Sequence, residues 1–187
     1  SAVLNVGCGV GYFEPVFAEW GAAEVVGADF VGWMIDRLKA DRPEFSYHTV
    51  DIARPLPEAL AGRHFKLVTA IDVLYHLVEE EAFESALANL CRLCDPDGGM
   101  LLWTDAPGRS AQGRRDHCRY RDLESYQRVF TSYGLSVRAV TPMYCLFDVY
   151  TRWSERLARR PRLWYPLLYG FDRLFAGRGW RGTANRC

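Results

Sequence analysis

Val3-Leu4-Asn5-Val6-Gly7-Cys8-Gly9-Val10-Gly11-Tyr12-Phe13 constrains this chain more than any other stretch. An apolar strand runs directly into three alternate glycines, and a helical apolar repeat (Phe13, Val16, Phe17, Trp20) follows, with Gly21 as its stop. Glycine takes positive φ and has no Cβ, so a turn of this kind exposes bare main chain to a ligand. The spacing is G-x-G-x-G, whereas a dinucleotide's pyrophosphate calls for G-x-G-x-x-G. A nucleoside without a pyrophosphate fits better.

Strand and helix patterns then alternate. Glu24 to Ala28 reads as a second strand ending on Asp29, roughly 20 residues past the turn, where a βαβ unit places an acid on ribose hydroxyls. Phe45 to Val50 ends on Asp51-Ile52, and Phe65 to Ile71 ends on Asp72. A helix cap or a solvated loop carboxylate explains each acid singly. Three acids at three successive strand ends point instead to the crevice where open α/β sheets bind ligands. Glu79-Glu80-Glu81 suits the start of a helix carrying Phe83 to Cys94, Met100 to Thr104 reads as a fifth strand, and Leu123, Tyr126, Phe130 and Tyr133 mark a helix stopped by Gly134. Leu135 to Val140 is expected to be the next strand.

Gly7-Cys8-Gly9-Val10-Gly11, Val26-Gly27-Ala28-Asp29, Val50-Asp51-Ile52, Asp72-Val73-Leu74-Tyr75-His76-Leu77 and Asp95-Pro96-Asp97-Gly98-Gly99 occur in that order. Together they resemble the successive motifs of the class I S-adenosylmethionine-dependent methyltransferases. The resemblance implies a Rossmann-like, doubly wound, mostly parallel seven-stranded sheet with helices on both faces. It implies a cofactor core over 1–142, a helical substrate-side insertion or lid over 143–182, and the start of a last strand at 183–187. It also implies that Gly7, Cys8, Gly9 and Gly11 face the methionine part of S-adenosylmethionine, that Asp29 takes both ribose hydroxyls and that Met34 packs on the adenine. Asp51 and Ile52 hold the adenine's amino edge, and Phe30, Ile71 and Asp72 complete the wall. Asn5 stands where the family usually has an acid, so a weakened contact to the cofactor's ammonium group is expected there. Lys66 likewise replaces an acid.

With 187 residues, 49% hydrophobic and 25% charged, the chain can build one sizeable core but not two ordinary domains. It starts on a core strand without a charged-then-apolar leader and stops where a last strand would begin, so further residues are expected beyond both ends. Six cysteines lie largely within predicted core elements, which favours reduced thiols and a cytoplasmic setting. Cys91 and Cys94 form a C-x-x-C without a second pair or histidines, and no metal site is expected.

From Arg152 onward, nine arginines face only Glu155 and Asp172, a balance of +7 in a chain of zero net charge. Aromatic and aliphatic residues interleave with them. Short amphipathic helices with outward arginines are the favoured explanation. A lid over an apolar acceptor and, across 152–182, a peripheral contact with anionic membrane are the functional alternatives. Nucleic acid is disfavoured.

Methyl transfer to a hydroxyl needs alignment, a dry pocket and a base. His76, beyond the fourth strand, and His117, in the long loop after the fifth, are the candidate catalytic residues. The expected acceptor is a small molecule of aromatic, quinone-like or lipid-like type. A nicotinamide-dependent oxidoreductase and a non-catalytic cofactor-binding module are the alternatives. Oligomeric state stays open.

Overall fold

The structure is a computed structural model that describes residues 1–105, 114–115 and 117–141. The chain divides into two compact units, Ser1–Ser136 and Val137–Cys187. In the first, β1 (Ala2–Val6) is central: it pairs in parallel with β2 (Glu24–Asp29) on one side and β4 (Leu67–Ala70) on the other. Such a strand has both edges paired and both faces covered, which is why Val3 to Val6 are all buried. β3 (Ser46–Thr49) pairs with β2, and β5 (Met100–Trp103) with β4, giving five parallel strands in the order β3-β2-β1-β4-β5.

That order reverses direction between β1 and β4. The chain steps one way through α1 (Glu14–Glu19) and α2 (Gly32–Asp41), then the other way through α3 (Glu80–Leu93). Right-handed crossovers therefore put α1 and α2 on one face and α3 on the opposite one. Alternation along the strands assigns Val3, Asn5, Val25, Gly27 and Tyr47 to the α1/α2 face, where Val3 and Val25 cluster with Phe17 of α1, and Tyr47 with Ile35 and Leu38 of α2. Leu4, Val26 and Val68, each 0% exposed, line the other.

Local chemistry starts the helices where the sequence suggests. Pro15 opens α1, Glu80 and Glu81 occupy the first turn of α3, and the Asp122 carboxylate accepts from the Ser125 N–H (2.9 Å) at the start of α4 (Leu123–Ser132). α4 packs Tyr126 and Phe130 against Trp103 of β5.

Two expectations need correction. Leu135 to Val140 forms no strand, and the sheet has five strands among the described residues. The alternation of Leu135-Ser136-Val137-Arg138 breaks at the adjacent apolar pair Ala139-Val140, residues 138–140 are all exposed, and without a paired neighbour among the described residues such a segment gains no ladder. The loop after β5 also carries structure: β6 (Arg114–Arg115) and β7 (Cys118–Arg119) form a short antiparallel pair. The expected insertion at 143–182 and the last strand at 183–187 lie outside the described residues.

Candidate active site

The glycine turn sits at the carboxyl end of β1, beside the reversal of strand order. Gly7, Gly9 and Gly11 all have positive φ (71°, 53° and 75°), which a side chain would oppose. A Cβ on Gly7 would lie 2.2 Å from Val73 and one on Gly11 2.7 Å from Leu38, whereas one on Gly9 would meet nothing within 4 Å. The outer glycines thus permit close packing, and the middle one faces open space. The N–H groups of Gly7 and Cys8 both donate to the Ala28 carbonyl (2.7 and 3.1 Å), tying the turn to β2.

Asp29 completes the tie. Its Oδ2 accepts from the Gly9 N–H (3.0 Å) and its Oδ1 from the Val31 N–H (2.9 Å), so the carboxylate bridges the turn and the entry to α2. Each oxygen keeps a second lone-pair direction for a ligand. Phe30 is 74% exposed, and Met34, in α2, is half-buried. Asp51 is exposed just past β3, its Oδ1 accepting from the Ala53 N–H (3.0 Å), while Ile52 is buried and its carbonyl accepts from Asn89 of α3 (2.9 Å). Past β4, Ile71 is half-buried and Asp72 takes a left-handed φ of 57°. Thr104 holds it there: the Asp72 N–H donates to Thr104 Oγ1 (2.8 Å), and that hydroxyl donates to Asp72 Oδ1 (2.9 Å). Glycine turn and acids therefore meet at one sheet edge, and the open face of Gly9 with the Asp29 lone pairs fits a ribose-bearing ligand that brings no phosphate.

Asn5, expected to contact the cofactor's ammonium group, makes protein contacts beneath the turn. It is 1% exposed, donates to Glu14 Oε1 (2.9 Å) and accepts from the Thr69 hydroxyl (2.8 Å). Glu14 is 0% exposed, and burial, its leading influence, pushes its carboxyl above the ordinary range. Burial also raises the Cys8 thiol to about 12, helped by the nearby Glu14 and Asp29 charges. Composition and motif reading did not single out Glu14. Its position three residues before Phe17, on the buried stripe of α1, is the signal that could have found it.

On the other side of the turn, His76 and His117 come together. His76 lies in a short 3-10 turn, Leu74–His76, and its Nδ1 is 3.3 Å from the His117 carbonyl and 3.7 Å from Cys118 Sγ. A carbonyl only accepts, so the contact with the His117 carbonyl is a hydrogen bond in the tautomer that carries its proton on Nδ1, which leaves Nε2 as the acceptor. The Tyr75 and Tyr120 rings pack alongside, 5.4 Å apart between centroids. The contribution of Cys118 and Thr104 was invisible in one dimension, since each acts across more than 30 residues. Among the described residues, no group of three His, Cys, Asp or Glu side chains is arranged for a metal, and no helix is long and apolar enough to cross a membrane.

These features define a doubly wound α/β protein with a nucleoside-type site at its topological switch. The chain belongs to the methyltransferase-domain family, whose profile matches residues 1–140. No curated protein matches it. Among solved structures, it is similar to a magnesium protoporphyrin IX methyltransferase (ChlM) from Synechocystis PCC 6803 with bound SAM, at 24% identity and a TM-score of 0.57. That match covers 75% of this chain and only 61% of the other. The N-methyltransferase NodS from Bradyrhizobium japonicum WM9, in complex with S-adenosyl-L-homocysteine, shares 22% identity at a TM-score of 0.61, over 79% of this chain and 71% of that one. DesVI from Streptomyces venezuelae shares 18% at 0.61, over 78% of each. At these identities the likeness establishes the fold.

Proposed function

We propose that the chain is the core of an S-adenosylmethionine-dependent methyltransferase acting on a small-molecule acceptor, through a hydroxyl of an aromatic, quinone-like or lipid-like compound. The observation that carries this reading is the Asp29 carboxylate bridging Gly9 and Val31 at the switch point. In it, the main chain of Gly7, Cys8, Gly9 and Gly11 borders the methionine part and Asp29 holds the ribose. Phe30 and Met34 cover the adenine, Asp51 and Ile52 take its amino edge, and Ile71 and Asp72 close the far wall. The bound cofactor supplies an electrophilic methyl group on a sulfonium that leaves readily. The protein then has to orient the acceptor, exclude water and remove a proton.

His76 is the base in this reading. With the proton on Nδ1 facing the His117 carbonyl, Nε2 is left to accept the hydroxyl proton, and Tyr75 and Tyr120 offer flat apolar surface to an aromatic acceptor. His117 itself then acts through its main chain. The buried, unbridged thiols of Cys8, Cys91, Cys94 and Cys118 suit a cytoplasmic protein. The arginine-rich 152–182 segment remains a candidate for acceptor cover or anionic-membrane contact, and it lies outside the described residues.

Calorimetry tests the cofactor half. S-adenosylmethionine should bind the wild type, and Asp29→Ala should weaken it by about ten- to a hundredfold, as loss of a charge-assisted contact predicts. Equal binding by the variant would remove the ribose assignment. For the acceptor, incubation of a cell extract with isotopically labelled cofactor should add label to a small-molecule fraction. Label confined to protein or tRNA would overturn the acceptor class.

A further inference from the structure

The site leaves one buried acid unused. Glu14 sits directly beneath the glycine turn with Oε1 on Asn5, while its Oε2 has no hydrogen-bond partner among the described residues, and neither does the buried hydroxyl of Tyr47. An isolated carboxylate so fully enclosed is costly, and burying it with one oxygen unmatched costs more. The fold nevertheless makes room for it. Gly27, opposite on β2, has no Cβ, and one built there would fall 2.6 Å from the Tyr47 ring and 3.1 Å from Glu14 Oε1.

The groups around Glu14 come from every neighbouring element. Asn5 on β1 donates to it and is itself anchored by Thr69 of β4; Cys8 lies in the turn and Asp29 at the end of β2; Tyr47 projects from β3; Arg42, just past α2, donates to the Gly11 carbonyl. Arg42 is the cation of the set, and its guanidinium is committed to the turn. Glu14 is therefore an acid stored under a ligand site, with one carboxyl oxygen that has no hydrogen-bond partner among the described residues.

We propose that Glu14 is a specificity-determining residue for cofactor charge: its carboxylate, held under the turn by Asn5, makes the site prefer the cationic sulfonium of S-adenosylmethionine over the neutral thioether of S-adenosylhomocysteine. This rests on the cofactor reading above. The consequence is a site that grips the cofactor before transfer and loosens once the positive charge has gone. Because burial raises the Glu14 carboxyl in the free protein, a cation arriving above it draws the group back toward its ionised form. Affinity for the sulfonium should therefore rise with pH through the free-state titration of Glu14 and then level off. Affinity for the thioether should stay nearly flat over the same range. The two ligands share their amino-acid and nucleoside groups, so their ratio isolates the sulfur charge.

Calorimetry with both ligands between pH 5 and pH 8 tests this on the unmodified protein and on two variants. Glu14→Gln should lower S-adenosylmethionine affinity about tenfold while changing S-adenosylhomocysteine by less than about twofold, the asymmetry of a lost charge interaction at partial burial. Asn5→Asp/Glu14→Gln moves the acid across its 2.9 Å hydrogen bond and should restore the wild-type ratio. A pH-dependent ligand ratio in the wild type supports the proposal even if Glu14→Gln fails to fold. Equal weakening of both ligands in Glu14→Gln, or a pH-independent wild-type ratio, would overturn it. A wild type that binds neither ligand at any pH overturns the cofactor reading and this inference with it, whereas a wild type that binds both with a flat ratio overturns only this one.

Discussion

The main-chain carbonyl of His117 lies 3.3 Å from Nδ1 of His76, joining across 41 residues the two histidines that the sequence offers as alternative bases. In the proposed mechanism they form one device rather than two: His117 supplies a backbone acceptor and His76 the imidazole.

His76→Asn follows from this contact. An asparagine amide can still donate to the His117 carbonyl but presents no base where Nε2 was. We expect turnover to fall by about 10²–10⁴, the usual worth of general-base catalysis, with S-adenosylmethionine affinity unchanged. Label transfer into the acceptor fraction, alongside calorimetry, checks both halves. Replacement of the His117 side chain should matter far less, because its contribution is main-chain.

Gly27→Ala tests the packing beneath the turn. Its φ is ordinary, so the cost is steric: a methyl group would press on the Tyr47 ring at 2.6 Å. Overpacking of this kind destabilises by about 1–3 kcal/mol, measurable as a lower urea midpoint at constant slope. Tyr47→Phe should instead be neutral or stabilising by about 1 kcal/mol, because it deletes a buried hydroxyl that has no hydrogen-bond partner among the described residues.

The thiols give a pH prediction. Burial raises Cys8 and Cys91 to about 12 and Cys94 to about 11, from an ordinary 9.0. All three should resist alkylation at pH 8 in the folded protein and react promptly in urea. Since unfolded thiols ionise first, their contribution to stability is complete below pH 9 and is lost as pH climbs toward 11–12. Thermal unfolding across pH 8–11 should show that decline, and Cys91→Ala should flatten it.

Arg121 braces the region around the candidate base. Its guanidinium is 3.8 Å over the Phe83 ring, donates to Glu80 Oε2 (3.2 Å) and reaches the Val78 carbonyl (3.3 Å). Lysine cannot reproduce that planar fork, so Arg121→Lys should cost about 1–3 kcal/mol by chemical denaturation.

Much of the core was legible in sequence because its signals are local. Glycines that need positive φ, Asp29 at the end of an apolar run and the acidic first turn of α3 each report on their own few residues. The strand expected at Leu135 to Val140 did not form for the converse reason: a strand exists only if a neighbour accepts its ladder, and alternation alone does not supply one. The protein partners of Asn5 were obscured in the same way. Its register on β1 places it on the α1 face, where Glu14 and Thr69 claim its amide.

The order of elements, the glycine crook and the acids at the strand ends were determined by sequence alone, because backbone conformation and apolar periodicity are properties of adjacent residues. Tertiary structure decided which groups meet: Asp29 with Gly9, His76 with the His117 carbonyl, Asp72 with Thr104, and Glu14 with Asn5 beneath the turn. Those pairings span 9 to 41 residues, and the parallel sheet brings them together by setting separate strand ends side by side.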